Sequence, residues 1–293
     1  MINFKDVSGI TIERLGEHGL KALRISNSFC DALIAFQGAQ VLEFHLKHQT
    51  QTQALLWLSE LNSYQPAKAI RGGIPLCFPW FGGHPEEKSY PSHGFARNLD
   101  WQLMDMNLTA SGHQLLFELR DSILTRRYWD AAFVLQMSID CGETLQFRFN
   151  LTNIDQKTIE FNFAWHSYFA VNAATATITG LAGLSYIDQL QQHQEKIQLE
   201  QQLEFDTETD RIYPLTNGTI ILADQDNRPL SIQSNAPSAV IWNPWIEKAA
   251  RLNDMPDHAW QDFVCIESAE LRILPQQVEP GKSYTYQLEI KNA

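Results

Sequence analysis

Three short segments hold the side chains best suited to acid–base chemistry. His93 lies in SHGFAR, His166 lies in FAWHSYF, and Glu267 lies in FVCIES. An imidazole exchanges protons near neutral pH, and a carboxylate in so apolar a strand must be hydrogen-bonded or held as a base. The alternative, without a catalytic role, is that His93 is a surface loop residue, His166 a packed core residue and Glu267 a structural, hydrogen-bonded carboxylate. Together, however, the three residues favour a reaction that only moves protons.

The segment from Arg71 to Arg97 is cationic within an acidic protein. It contains two arginines, two histidines, four prolines and five glycines. No acidic residue occurs between Glu60 and Glu86, although the formal net charge of the chain is -12. Proline and glycine at this density exclude a regular helix and disfavour a central strand. The segment therefore predicts a long ordered loop that binds a small anion.

Common cofactor and nucleophile motifs do not occur in the sequence. There is no GxGxxG after a strand, no phosphate-binding P-loop and no GxSxG. The four cysteines are scattered and form no CxxC pair, which predicts reduced, buried thiols rather than a zinc site. Nucleotide cofactors and a serine esterase elbow are therefore disfavoured, and no motif indicates a metal.

Length and composition favour one large soluble domain. The chain has 293 residues, of which 44% are hydrophobic and 19% charged, so we expect a single domain over 1–293. A pI near 5.2 argues against nucleic acid and anionic membrane as partners. The sequence lacks a secretory leader pattern and any apolar run of about 18 residues. We therefore expect a cytoplasmic protein without a membrane span.

Strand patterns dominate the chain. Residues 145–151 and 284–290 alternate apolar and polar side chains, as half-buried strands do. Similar segments and turn residues recur along the chain without βαβ alternation, which predicts an antiparallel β-sandwich with few short helices. We expect loops at 60–98, 121–132, 188–215 and 243–262. The glutamine-rich part from Asp188 to Glu204 is expected to form a short helix or a surface excursion.

Four ordered motifs resemble one family. RGGIPLCFPWFG, SHGFARNLDWQL, FAWHSYF and VIWNPWIEKAARLNDMPDHAWQDFVCIESA are similar to motifs of the glucose-6-phosphate 1-epimerases, which are hexose-6-phosphate mutarotases of the aldose 1-epimerase superfamily. The resemblance covers roughly residues 10 to 290. It implies a galactose mutarotase-like β-supersandwich of large antiparallel sheets, with a sugar cleft across one face and no cofactor.

The resemblance also implies a role for individual residues. His93 would contact the sugar near C1 and the ring oxygen, His166 would be the general acid, and Glu267 would be the general base. Asp210 would bind sugar hydroxyls, with Asp188 as a competing candidate. Arg71 and Arg97 would bind the phosphate.

These roles predict interconversion of the α and β anomers of glucose 6-phosphate, and of other hexose 6-phosphates. Glu267 would begin ionised and His166 protonated, so activity would be bell-shaped in pH. The partner would be the small-molecule substrate, and the protein a monomer or weak homodimer. A non-catalytic carbohydrate-binding sandwich, a glycoside hydrolase using Glu267 and Asp210, and a metal-dependent cupin-like enzyme remain alternatives.

Overall fold

Antiparallel β-sheets make up most of the structure. A computed structural model of the chain describes residues 7–48, 51–216, 218–271 and 275–293. Strands and helices are numbered below in chain order, and strands are given in their spatial order within each sheet. The predicted all-β class, with large antiparallel sheets and only short helices, is confirmed.

The largest sheet has nine strands in the order β17 (Leu203–Glu204), β14 (Thr177–Thr179), β19 (Thr219–Ala223), β20 (Leu230–Ser234), β24 (Ser283–Asn292), β10 (Leu145–Asn153), β9 (Phe133–Gly142), β8 (Gly112–Arg120) and β7 (Gln102–Thr109). A second sheet has the order β16 (Gln194–Ile197), β15 (Ser185–Asp188), β18 (Thr209–Tyr213), β21 (Ser238–Asn243), β22 (Phe263–Glu270), β12 (Phe163–Trp165) and β6 (Leu76–Cys77), and β13 (Tyr168–Ala170) also pairs with β22.

Two smaller sheets and short helices complete the described part. One sheet has the order β1 (Ile10–Leu15), β2 (Leu20–Ser26), β3 (Cys30–Ala35), β4 (Val41–Lys47) and β5 (Thr52–Ala54), and the other pairs β11 (Ile159–Phe161) with β23 (Gln276–Val278). The α-helices are α1 (Ile123–Arg126) and α2 (Trp245–Ala249), and 3-10 turns occur at Ala96–Asn98 and Ala259–Gln261. None of the helices in the described ranges is long and apolar enough to cross a membrane.

Side-chain alternation accounts for the long central strands. In β10, buried residues alternate with partly or fully exposed ones along the whole strand, as the sequence predicts. Phe149 of β10 stacks on Phe163 of β12 with ring centroids 4.8 Å apart, and Tyr286 of β24 stacks on the same ring at 4.5 Å. The inner faces of the nine-stranded sheet and the β22-containing sheet therefore share one apolar core. The single domain over 1–293 stays a prediction.

The predicted loops are partly confirmed. Between Arg71 and Arg97 the chain forms only the two-residue edge strand β6 and one 3-10 turn. The predicted loop at 188–215 is wrong, because β16, β17 and β18 lie within it. The polar sequence there pairs as a hairpin, with Asp188 opposite Gln194. The loop prediction from polarity fails because β16 and β17 are edge strands, which can be polar on both faces, and because β18 pairs with strands on both sides.

The four cysteines are free and buried, as predicted.

Candidate active site

One face of the β22-containing sheet carries an unusual row of polar and aromatic side chains. Asp210 of β18 lies opposite Trp242 of β21, and Trp242 lies opposite Cys265 of β22. Directly opposed residues share a face, and so do residues two apart on a strand. Glu267 therefore points to the same side as Asp210 and Trp242. We call this side, turned away from the nine-stranded sheet, the site face.

His166 reaches the site face where a strand is interrupted. Trp165 pairs with Ser268 and Tyr168 pairs with Cys265, but the residues between them leave the regular ladder. The His166 N–H donates instead to the carbonyl of Pro75, at 3.0 Å. Trp165 belongs to the apolar core, and His166, the next residue, points to the other side. The interruption places the imidazole beside β22.

His166 and Glu267 form a buried contact. Nε2 of His166 lies 3.3 Å from Oε1 of Glu267, and their side chains are 8% and 2% exposed. The other polar atoms of the pair, His166 Nδ1 and Glu267 Oε2, are buried and have no hydrogen-bond partner among the described residues. Buried polar groups are usually paired, so these orphaned atoms indicate a site prepared for a polar ligand.

The pair favours uncharged forms. Burial raises the pKa of Glu267 well above its usual range, and the nearby Asp210 carboxyl raises it further, while Arg97 lowers it. Burial lowers the pKa of His166 well below its usual range, and His93, Arg97 and Arg71 act in the same direction. Both shifts follow from removing a charge from water.

This protonation differs from the expected ionised glutamate and protonated histidine. A neutral carboxylic acid beside a neutral imidazole carries the same number of protons as the expected ionic pair. The two descriptions therefore differ only in which atom holds the shared proton. Low dielectric surroundings favour the neutral arrangement in the free site, while a transfer across the 3.3 Å contact produces the ionic one.

His93 is held in a constrained turn. Its backbone φ is +62° and that of Gly94 is +72°. A Cβ on Gly94 would lie 1.9 Å from the carbonyl oxygen of Phe78, so only glycine fits there. The Gly82 N–H donates to Nδ1 of His93 at 3.3 Å, which leaves the hydrogen on Nε2. Burial, reinforced by Arg97 and Arg71, lowers the pKa of His93 to about 3. His93 is therefore a neutral donor, with its ring centroid 5.7 Å from that of His166.

Arg71 is already paired. Its Nε and Nη2 lie 3.1 and 3.0 Å from Oδ2 of Asp254, and its Nη1 donates to the hydroxyl of Tyr168 at 2.9 Å. Gly72 allows this placement, because a Cβ there would meet the carbonyl oxygen of Trp57 at 2.5 Å. Any anion that binds Arg71 must therefore share the guanidinium with Asp254.

Arg97 carries a less compensated charge. Its Nη2 donates to the carbonyl of Ser92 at 2.9 Å, and its Nε is buried with no hydrogen-bond partner in the part of the chain that the structure describes. Across the described ranges, no carboxylate forms an ion pair with Arg97. Its charge nevertheless shifts the pKa values of His93, His166 and Glu267. Arg97 is therefore close to the pair and has bonding capacity to spare.

Asp210 and Asp188 differ in orientation and in partners. Asp188 lies opposite Arg211, so it points to the side opposite Asp210. One Asp188 oxygen accepts from Lys196 at 2.7 Å and the other from the Leu190 N–H at 3.0 Å. Asp210 lies on the site face, with Lys248 Nζ 3.8 Å away, and burial raises its pKa to about 6. Of the two acids, Asp210 is the one available to a ligand on the site face.

Sequence reasoning missed three residues around the site: Tyr168, Lys248 and Asp254. Tyr168 stacks on the His166 ring, with centroids 4.7 Å apart and planes 7° apart. Its position two residues after the histidine was the available signal, whereas Asp254 and Lys248 had none, because their partners are distant in sequence. Over the part of the chain that is described, no group of three His, Cys, Asp or Glu side chains is arranged to hold a metal ion.

Comparison with known families and sequences gives a consistent result. The family model described as aldose 1-epimerase matches residues 21–291. A Salmonella typhimurium protein provisionally named a glucose-6-phosphate 1-epimerase is 33% identical over 254 residues, covering 86% of this chain and 83% of that protein. An Escherichia coli protein with the same provisional name is 32% identical over 241 residues, covering 81% of this chain and 79% of its own length.

Solved structures show the same fold. The crystal structure of a provisionally assigned mutarotase from Salmonella typhimurium superposes with a TM-score of 0.90 at 29% identity, covering 100% of this chain and 96% of that one. A galactose mutarotase-like protein from Lactobacillus casei superposes with a TM-score of 0.73 at 17% identity, covering 93% of this chain and 100% of that one. The expected galactose mutarotase-like architecture is thereby confirmed.

Proposed function

The chain belongs to the aldose 1-epimerase family and interconverts the α and β anomers of a sugar, and we propose that this sugar is a hexose 6-phosphate, in the first place glucose 6-phosphate. The observation that carries the proposal is the buried His166–Glu267 contact at 3.3 Å beside two arginines. The provisional names of the relatives at 33% and 32% identity support the same substrate.

In the proposed reaction, the two groups act on neighbouring atoms. Glu267 takes the proton of the C1 hydroxyl as the bond between C1 and the ring oxygen breaks, and His166 gives a proton to that oxygen. The aldehyde then turns about the C1–C2 bond, and the same transfers run in reverse to close the ring on the other face. Because both oxygens are bonded to C1, their acid and base must lie close together, as His166 and Glu267 do.

Two neighbours assist the proposed transfers. His93 would donate its Nε2 hydrogen to the ring oxygen as a hydrogen bond, since its pKa of about 3 keeps it neutral. Asp210 would accept hydrogen bonds from sugar hydroxyls on the same site face. Neither group needs to gain or lose a proton during the cycle.

The arginines suit the phosphate. C6 is bonded to C5, which carries the ring oxygen, so the 6-phosphate lies on the same side of the sugar as the histidines that serve that oxygen. Both Arg71 and Arg97 lower the pKa values of His93 and His166, which supports a position of their charges close to these histidines. In our proposal Arg97 supplies the free charge, and Arg71 shares its guanidinium between Asp254 and the phosphate.

Anomer exchange measured by NMR tests this function. The purified protein should accelerate exchange between the α and β signals of glucose 6-phosphate, with a higher kcat/KM than for glucose. An equal kcat/KM for the two sugars would contradict the phosphate proposal and leave the epimerase chemistry in place. Hydrolysis of a glycoside in the same tubes would instead favour a glycosidase.

A further inference from the structure

The His166 imidazole is oriented by packing rather than by a hydrogen bond on its far nitrogen. A catalytic histidine commonly has its second ring nitrogen fixed by an acceptor, but Nδ1 of His166 is buried and has no hydrogen-bond partner in the described ranges. The ring instead stacks on Tyr168 at 4.7 Å, with planes 7° apart, and meets the edge of Trp242 at 5.9 Å. The near-parallel stack therefore determines the tilt of the ring that must meet Glu267.

Tyr168 is itself rigidly held. Its side chain is buried, and its ring packs against Trp57 at 5.9 Å and Phe263 at 5.2 Å. Its backbone belongs to β13, where it pairs with Cys265. Its hydroxyl accepts the Nη1 hydrogen of Arg71 at 2.9 Å. The tyrosine thus touches a proposed acid with its ring and a proposed phosphate ligand with its hydroxyl.

We propose that Tyr168 is a positioning residue with two separate roles. Its ring orients the His166 imidazole for proton transfer, and its hydroxyl orients the Arg71 guanidinium for the phosphate. The inference rests on the proposed function and extends it. The opposite side of Arg71 is held by Asp254, so Tyr168 and Asp254 together leave the guanidinium little freedom to rotate. Neither role brings Tyr168 into the proton transfers themselves.

The two roles predict different kinetic signatures. Tyr168→Phe keeps the ring and removes the hydroxyl. We expect kcat to stay within about twofold, while KM for glucose 6-phosphate rises roughly 3- to 10-fold, because one hydrogen bond to a charged group is lost. KM for glucose should not change. Tyr168→Leu removes the stack, and we expect kcat to fall at least about 10-fold for both sugars, because small misplacements of a reacting group cost that much or more.

Steady-state anomer exchange with both sugars measures this split. Tyr186→Leu is the matched control, because Tyr186 is a buried tyrosine of the same sheet that packs on Tyr213, away from His166. Its kcat should match that of the wild type. If Tyr168→Leu does not fold, Tyr168→Met replaces it, because methionine fills irregular apolar space without providing an aromatic face.

The outcomes separate the inference from the function it rests on. Unchanged kcat in the Leu or Met variant would overturn the positioning role of the ring, and equal losses of kcat in Phe and Leu would overturn the division of labour. If the wild type does not act on glucose 6-phosphate, the proposed substrate fails, but the kcat comparison on glucose still tests the ring. Recovery of kcat by Tyr168→Phe relative to Tyr168→Leu supports the inference.

Discussion

Glu267→Gln should have opposite effects on activity and on stability. Glutamine has the shape of the neutral carboxylic acid, but it cannot accept the C1 hydroxyl proton. Removing a proton-transfer group costs on the order of 10²–10⁴ in rate, so we expect kcat for anomer exchange to fall by that factor. The side chain is only 2% exposed, so no solvent molecule readily takes its place.

The stability effect follows from the raised pKa of Glu267 in the folded protein. In the unfolded chain a glutamate ionises near pH ~4.3. Above that pH the unfolded state has lost the proton and the folded state retains it, so ionisation favours unfolding until the folded pKa is reached. Glutamine removes this penalty. The free energy of unfolding of the variant, minus that of the wild type, should therefore increase by about 1.4 kcal/mol per pH unit within this window.

Urea unfolding at several pH values between about 5 and ~7.5 measures this difference, which reports the proton that the Glu267–His166 pair holds in the folded wild type. Glu270→Gln is the activity control, since Glu270 is a buried glutamate of the same strand that faces the core and accepts a hydrogen bond from Tyr286. It should retain the wild-type kcat. Near-full activity of Glu267→Gln would refute the assigned base, and a stability difference that does not change with pH would refute the buried neutral carboxyl.

Three further predictions follow from the site. The pKa of Asp210 is about 6 in the free protein, so kcat/KM should fall below that pH as the carboxylate is protonated. Asp210→Asn should remove this limb from the pH profile, and an unchanged profile would exclude Asp210 as a hydroxyl acceptor. Arg97→Lys should lower the ratio of kcat/KM for glucose 6-phosphate to kcat/KM for glucose by about 10-fold, because lysine cannot bind phosphate bidentately. Arg71→Lys should lower this ratio less, and equal ratios in the wild type and both variants would contradict both phosphate roles. Gly94→Ala should lower the free energy of unfolding by more than about 1 kcal/mol, since its Cβ would meet the Phe78 carbonyl oxygen at 1.9 Å and its φ is +72°. Wild-type stability of this variant in thermal melts would show that the turn can rearrange.

The strand content could be predicted because its cause is local. Alternation in β10 reports one buried and one partly exposed face, and this information lies within nine consecutive residues. The loop around His93 was also predictable, because proline and glycine act on their own backbone. The segment at 188–215 was not, because Thr209–Tyr213 becomes a strand through its pairing with β15 and β21. Such pairing depends on residues elsewhere in the chain.

The sequence by itself determined the candidates: His93, His166 and Glu267 in ordered motifs, two arginines in a cationic segment, and either Asp210 or Asp188 as the sugar-binding acid. Only the tertiary structure decided how they are used. The strand register placed Asp210, and not Asp188, on the face of Glu267. The Asp254 carboxylate, 183 residues away in sequence, accepts from Nε of Arg71 and pairs with its Nη2.

The tertiary structure also decided the protonation of His166 and Glu267. The expected ionic pair becomes a neutral pair that shares one proton, because burial removes the water that would stabilise both charges. Residue type sets the ordinary pKa, which can be read from sequence. The shift depends on desolvation and on charges that meet only when distant segments pack together, so no local pattern contains it.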